Sequence, residues 1–131
     1  MAATTSKAAY QAHANKLFES TIEEFQAHFK ATYSADLVAL IGGHSFNHDQ
    51  MLEHLIRMRS MFTSIELKVT KFLVDGNEFA ERHSGDGVVA KDGSKSHVEA
   101  YAFGEIDADG KISVFEEAVI VTGAHPMKEL E

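Results

Sequence analysis

The chain of 131 residues has no cysteine, no tryptophan and a single proline. The absence of thiols excludes disulfides, thiolate nucleophiles, iron–sulfur clusters and cysteine-based zinc sites together. Basic residues are also scarce. Twelve Lys and Arg against twenty Asp and Glu leave a formal net charge of −8. A surface of that sign repels phosphate, which argues against nucleic acid and anionic membranes as partners. No apolar run approaches the roughly 18 residues of a membrane span. Residues 1–11 are small and polar and do not read as a signal peptide, so the expected location is the cytoplasm. The hydrophobic fraction of 44% and charged fraction of 24% are those of an ordinary folded domain, which excludes disorder over most of the length. The length suits one domain, 1–131, with 124–131 as a loose tail. Such a domain buries about two-thirds of its chain surface, enough for a core and a small internal pocket. Eight histidines are the other unusual feature.

Residues 6–19 are dominated by strong helix formers. Phe18, Ile22, Phe25, Phe29 and Tyr33 then recur at helical spacing and form one face. Ser20 and Glu23 make an S-x-x-E pattern, which predicts a helix start at Ser20. Asp36 to Ile41 (DLVALI) reads as a short strand ended by Gly42-Gly43. Asn47 or Asp49 can cap the next helix, whose buried stripe is Met51, Leu55, Met58 and Phe62. From Thr63 the period changes to two. Four strands are predicted near 64–74, 78–90, 95–106 and 111–122. Asp75-Gly76-Asn77, Asp92-Gly93 and Asp109-Gly110 separate them. Asp-Gly between alternating segments is a strong hairpin signal, because those turns need positive φ. The predicted order is α-α-β-α-β-β-β-β, an α+β domain with helices on one face of a curved antiparallel sheet.

Three local patterns carry a family resemblance. Tyr33-Ser34-Ala35-Asp36 leads into a strand and a Gly-Gly turn. Asp75-Gly76-Asn77-Glu78-Phe79-Ala80-Glu81-Arg82 opens the second meander strand. Gly104-Glu105-Ile106 and Asp109-Gly110-Lys111-Ile112 frame the last hairpin. In order and spacing the chain, from about Lys7 to Gly123, resembles the NTF2-like superfamily. That group holds SnoaL-like polyketide cyclases, ketosteroid isomerases, scytalone dehydratases and limonene-epoxide hydrolases. The resemblance implies a cone-shaped α+β barrel, with helices on the concave face of the sheet around a blind apolar pocket. It also implies a homodimer through the convex face, a small hydrophobic molecule as partner and no cofactor or metal. It places Ala80, Arg82 and Ser84, Ala100 and Ala102, and Phe115, Glu117 and Val119 on the inner face, with room for a ligand beside the alanines.

The known constellations of these enzymes are incomplete here. The ketosteroid isomerase base falls on Ile41, its oxyanion-stabilising aspartate on Ala102, and its first-helix tyrosine near His13. Arg82 and Glu117 match two of three epoxide hydrolase positions, and the third is Ser84, which cannot act as a carboxylate base.

By these placements Glu117 is the candidate proton carrier, because burial raises a carboxyl pKa toward neutrality. Arg82 is expected opposite it, to pair with it or to bind an enolate or carboxylate. Ser84 and His13 are candidates for orienting substrate, with Ala102, Phe115 and Ile41 lining the pocket. His44, after the first strand, is a candidate proton shuttle. His44 and His48 are of metal-ligand type, but the spacing defines no third ligand. The function expected is acid–base isomerisation, cyclisation or dehydration of a polyketide-, terpenoid- or steroid-like molecule. The alternatives are a non-catalytic ligand-binding or dimerisation module, with Arg82–Glu117 a structural ion pair. A further alternative is calcium binding at residues 105–116. There Glu105, Asp107, Asp109, Gly110, Ile112 and Glu116 fall at EF-hand spacing. The β-branched and aromatic flanks of that stretch instead favour a hairpin.

Overall fold

The computed structural model describes residues 4–128. Its elements are α1 (Lys7–Phe18), α2 (Ile22–Thr32), β1 (Tyr33–Ile41), β2 (His44–Phe46), α3 (His48–Met61), β3 (Phe62–Asp75), β4 (Glu78–Val89), β5 (Lys95–Ile106) and β6 (Ile112–Gly123). The helix starts follow side-chain capping. Ser6, Thr21 and Asn47 each accept an otherwise free backbone N–H, and Asn47 and Gln50 form a full capping box. The second cap is Thr21 with Glu24, one residue beyond the expected Ser20. Ser20 instead closes the first helix by donating to the Lys16 carbonyl. Tyr33 leaves the helix and opens β1, three residues earlier than expected. The chain after Gly42-Gly43 folds back as the short strand β2, which no alternating pattern in the sequence predicts.

The strands form one sheet in the order β2-β1-β6-β5-β4-β3. All neighbours run antiparallel except β1 and β6, which are parallel. Helix α3 touches both β1 and β3. Four strand steps separate those two, so the sheet curls around the helices without closing. All three helices pack on its inner face. The core there joins Phe25, Phe29, Tyr33, Leu37, Met51 and Ile112.

Two polar clamps hold the helices in place. The Gln11 side-chain amide donates to the Leu67 carbonyl at 2.8 Å and accepts from the Val69 N–H at 2.7 Å. It thereby satisfies the free edge of β3, the last strand of the sheet, and fixes α1 across it. Arg59 of α3 donates to the carbonyls of Leu17 and Ser20 and lies 4.9 Å from the Phe25 ring centre. It thereby satisfies carbonyls that the end of α1 leaves open.

Strand β3 carries a bulge at Thr70, since Val69 pairs with His83 and Lys71 with Arg82. The extra residue lets Val69 and Phe72, three apart, both face the helices. Residues 105–116 are a hairpin, as expected from their flanks. The Asp107 carboxylate accepts from the N–H groups of Asp109 and Lys111, and β5 and β6 pair on either side. A strand–turn–strand is not the helix–loop–helix of an EF-hand, which removes the calcium reading. Of the expected loose tail, Met127 is 9% exposed and packs inward, while residues 129–131 lie outside the described residues. No described helix is long and apolar enough to cross a membrane.

Gly104 faces Phe79 across β5 and β4. A Cβ there would lie 2.3 Å from the Phe79 ring and 3.0 Å from the Val114 carbonyl. Phe79 is itself held between Tyr10 and Phe72, with ring centres 5.7 and 6.0 Å away. Gly104→Ala is therefore expected to destabilise the fold by about 1–3 kcal/mol, through overpacking. Urea denaturation measures it; an unchanged midpoint would show that Phe79 has room to move.

Candidate functional site: a Glu–His–Glu cluster on the inner face

A row of residues crosses the sheet in register. Glu117 of β6 pairs with Ala102 of β5, and Ala102 pairs with Glu81 of β4. In the adjacent row Ala100 pairs with His83. Cross-strand partners share a face, so Glu81, His83 and Glu117 all point toward the helices. Strands two apart are about 9.6 Å apart. The long side chains meet over that span because only the methyl groups of Ala100 and Ala102 stand between them.

This reverses the expected orientation of β4. Arg82 was expected to face Glu117; it lies on the outer face, exposed, with its Nε donating to Thr70 Oγ1 at 3.0 Å. Ala80 and Ser84 share that parity, and Ser84 pairs with Glu99. The cause is hydrophobic: Phe79 must be buried, and Phe79, Glu81 and His83 alternate together. Glu117, Phe115 and Val119 share the inner face of β6 as expected, with Val119 opposite Ala100, though Val119 is 38% exposed. Ile41 is half-buried and pairs with Glu117 across β1 and β6. His44, the expected proton shuttle, lies exposed on the short edge strand β2, displaced by the hairpin that β2 forms. His48 packs edge-on to Phe29 and bonds Asp49.

The Glu81 side chain is fully enclosed, and both its oxygens accept from His83 Nδ1, at 2.8 and 2.9 Å. That contact leaves Nε2 directed at Glu117 Oε2, 3.9 Å away. The ring and Glu117 remain within reach of solvent, with side chains 13% and 16% exposed. Burial pushes the Glu117 carboxyl up to about 7; the His83 charge opposes this and the Glu81 charge adds to it. For His83, burial disfavours the charged ring. The hydrogen bond to Glu81 and the charges of Glu81, Glu117 and Glu99 outweigh it, and its pKa is raised. A carboxyl raised to about 7 thus sits beside a histidine whose pKa is also raised. The ligand-type atoms of the three residues lie within 4.8 Å of one another, so this is the place where the described residues could hold a metal ion. A metal taken at Nδ1 would have to displace the proton that Glu81 binds.

A second polar chain approaches from the helices. His13, buried on α1, places Nε2 3.1 Å from Tyr33 Oη and Nδ1 2.7 Å from Nε2 of His28 on α2. Burial, then the charges of His28 and Lys16, holds the His13 pKa down to about 3. Tyr10, one turn before His13, packs edge-on to it at 5.4 Å. Burial raises the pKa of both Tyr10 and Tyr33, and the charges of Glu81 and Glu117 raise each further. The tyrosines therefore lie within the electrostatic reach of the cluster. The sequence alone assigns no site role to Glu81, His83, Tyr10 or Tyr33. The inward stripe Tyr10, His13, Leu17 at spacings of three and four was a signal available for Tyr10.

Two clefts open elsewhere on the described surface. One of about 470 Å³ lies between Thr4, Thr5, the β3–β4 turn and Asp107, and one of about 260 Å³ borders Phe103 and Glu116. Neither is lined by Glu117. Neither of these two clefts is the enclosed apolar pocket expected around Glu117, and the cluster opens to solvent through His83 and Glu117.

The sequence matches no family model, and it matches no curated protein. Its structure does match solved structures. An NTF2-like protein from Exiguobacterium sp. 255-15 superposes with a TM-score of 0.70 at 15% identity, over 82% of this chain and 98% of that one. A proposed SnoaL-like polyketide cyclase from Jannaschia sp. CCS1 gives 0.70 at 11%, over 91% and 89%. An epoxide hydrolase of limonene-epoxide-hydrolase type from M. tuberculosis gives 0.64 at 15%, over 83% and 80%. The chain therefore has the NTF2-like fold, shared with proteins of several functions.

The pKa of Glu117 has a stability consequence. A carboxyl raised from 4.5 to about 7 makes the folded chain bind the proton more tightly than the unfolded one. Its contribution is complete below pH 4.5 and is lost as pH rises toward 7. Glu117→Gln removes that loss. The variant is expected to gain up to about 3 kcal/mol on the wild type between pH 4.5 and 7 and to hold a constant difference above. Denaturation midpoints at stepped pH measure it; parallel curves would contradict the burial of a titrating carboxyl.

Proposed function

We propose that the chain is an acid–base enzyme, an isomerase, cyclase or dehydratase, acting on a small hydrophobic carbonyl compound of polyketide, terpenoid or steroid type. One observation carries the reading. Glu117, its carboxyl pushed up to about 7, lies 3.9 Å from His83, whose pKa is raised and which the buried Glu81 orients. Proton transfer is most effective when donor and acceptor pKa values lie near working pH. Glu117 takes or gives the substrate proton. His83, with Nδ1–H fixed on Glu81, offers Nε2 as the second acid–base group. Tyr10 and Tyr33 supply neutral hydroxyl donors for developing negative charge on a carbonyl oxygen. His13 holds Tyr33, in place of any direct contact with substrate. The apolar residues Phe115 and Ile41 flank Glu117. The likeness to a proposed polyketide cyclase and to an epoxide hydrolase agrees with this reading at the level of fold.

Exchange of the α-protons of a simple cyclic ketone such as 2-tetralone, followed by NMR in deuterated water, tests the reading. The wild type is expected to accelerate exchange, and Glu117→Gln to lose about 10²- to 10⁴-fold of that acceleration. Equal acceleration by both proteins would overturn the role of Glu117.

We also propose that the outer sheet face pairs with a second copy of the chain. Phe103, Ile120, Val38, Leu73, Tyr101 and Leu40 stand exposed there, with Phe103 at 68%. Six exposed large apolar side chains on one face, though Glu116 and Arg82 stand among them, are atypical of a monomer. A two-fold axis would oppose the same residues to themselves. Sedimentation velocity is expected to show a dimer that Phe103→Asp with Ile120→Asp converts to monomer. A monomeric wild type would refute the pairing.

A further inference from the structure

Two carboxylates meet one imidazole on the inner face, and the two sides of the ring are not alike. On the Nδ1 side Glu81 is fully enclosed, and its oxygens accept from Nδ1–H at 2.8 and 2.9 Å. On the Nε2 side Glu117 Oε2 stands 3.9 Å away, too far for a hydrogen bond. That gap is close to the span a metal ion bridges. Zinc binds imidazole nitrogen and carboxylate oxygen at about 2.0–2.2 Å, so two donors at a tetrahedral angle lie roughly 3.4 Å apart. Closing to that distance from 3.9 Å takes only about 0.5 Å of side-chain movement. One ligand-type atom from each of Glu81, His83 and Glu117 lies within 4.8 Å of the other two. Arg82, the cation expected opposite Glu117, faces outward and bonds Thr70, so its guanidinium does not compete for that oxygen.

We propose that His83 Nε2 and Glu117 form a binding site for a divalent transition-metal ion such as zinc, with Glu81 holding the ring from the far side. In a chain of carboxylate, imidazole and metal, the outer carboxylate fixes the tautomer and the direction of the ring, and it makes the ligating nitrogen more basic. Glu81 has that place: it takes Nδ1–H and leaves the Nε2 lone pair for the ion. The donor set selects the class of metal. Imidazole nitrogen suits zinc and its transition-metal neighbours, whereas magnesium and calcium prefer oxygen throughout. The register of the sheet sets the spacing. Glu117 and Glu81 both pair with Ala102, and His83 pairs with Ala100, so the ligands stand on hydrogen-bonded strands and not on a loop. The His83 and Glu117 side chains are 13% and 16% exposed, which gives the ion a way in and lets water complete its coordination. A proton that the ion displaces from either ligand passes to water. The acid–base reading describes the metal-free chain. The ion takes the same two atoms, so ion and substrate exclude each other. The site stands on its own geometry and does not depend on that reading.

Calorimetric titration of the full chain with zinc chloride, and in parallel with magnesium chloride, tests the site. Zinc is expected to bind at one ion per chain and magnesium not to bind. Glu117→Gln, which keeps the shape of the side chain, is expected to weaken zinc at least about tenfold, and Glu81→Gln by about 10- to 100-fold. His97, beside Asp86 and Glu99, is a more exposed histidine with carboxylate neighbours, and His97→Ala is expected to leave zinc binding unchanged. Nitrogen-15 NMR of His83 separates a ligand from a packed ring: zinc is expected to shift Nε2 while Nδ1 keeps its proton. The proposal is overturned if zinc does not bind, if magnesium binds equally well, or if Glu117→Gln binds zinc as tightly as the wild type. Loss of binding in His97→Ala, or loss of the Nδ1 proton on adding zinc, also overturns it. None of these outcomes depends on the ketone exchange assay, so the metal site and the acid–base reading can fail separately.

Discussion

The hydrogen bond from the His83 imidazole to the enclosed Glu81 carboxylate is the contact on which the inner face depends. A carboxylate with no solvent access costs several kcal/mol unless it is paired, and His83 supplies the pairing through both oxygens. The same bond sets the tautomer. With Nδ1 committed to Glu81, the ring presents Nε2 toward Glu117. Glu81 thus fixes the orientation of His83 beside Glu117. Removing it would leave His83 free to turn and Glu117 without its ordered neighbour.

That bond in turn exists because of how apolar residues settle the sheet. Phe79 needs burial, and it finds it against Tyr10 and Phe72, over a glycine on the next strand. The period of two then carries Glu81 and His83 to the same face. The central strand offers Ala100, Ala102 and Gly104 on that face, so no bulky side chain blocks the span from β4 to β6. A hydrophobic requirement at one position places two charged residues that pattern alone would assign to solvent. Gln11 and the Thr70 bulge extend the arrangement to the helices, bringing Tyr10 and His13 over the same region.

The architecture was largely legible in the sequence. Asp-Gly turns located the hairpins; Gly76, Gly93 and Gly110 adopt the positive φ that those turns require, at 61°, 73° and 79°. The switch from helical to alternating period at Thr63 located the start of the meander. The site was legible on one strand only. The inward place of Glu117 follows from the family resemblance, whereas the same resemblance puts β4 one residue out of phase, with Arg82 inward. The β4–β5 hairpin alone would have corrected this. It pairs even positions on one strand with odd positions on the other, as in Ala102 with Glu81. Inward sets of even residues on both strands are incompatible with it. The His13–His28 pair had no such local signal, because it joins two helices through a tertiary contact. Strand β2 and the bulge at Thr70 escaped for a similar reason, since both are set by pairing partners and not by propensity.

The central claim is that Glu117 is held in a state poised between acid and base at neutral pH. Following the Glu117 side-chain carboxyl carbon by carbon-13 NMR across a pH titration tests it most directly. The account predicts a midpoint at about 7. A midpoint near the ordinary value of 4.5 would show a solvated surface carboxylate and contradict the account at its root.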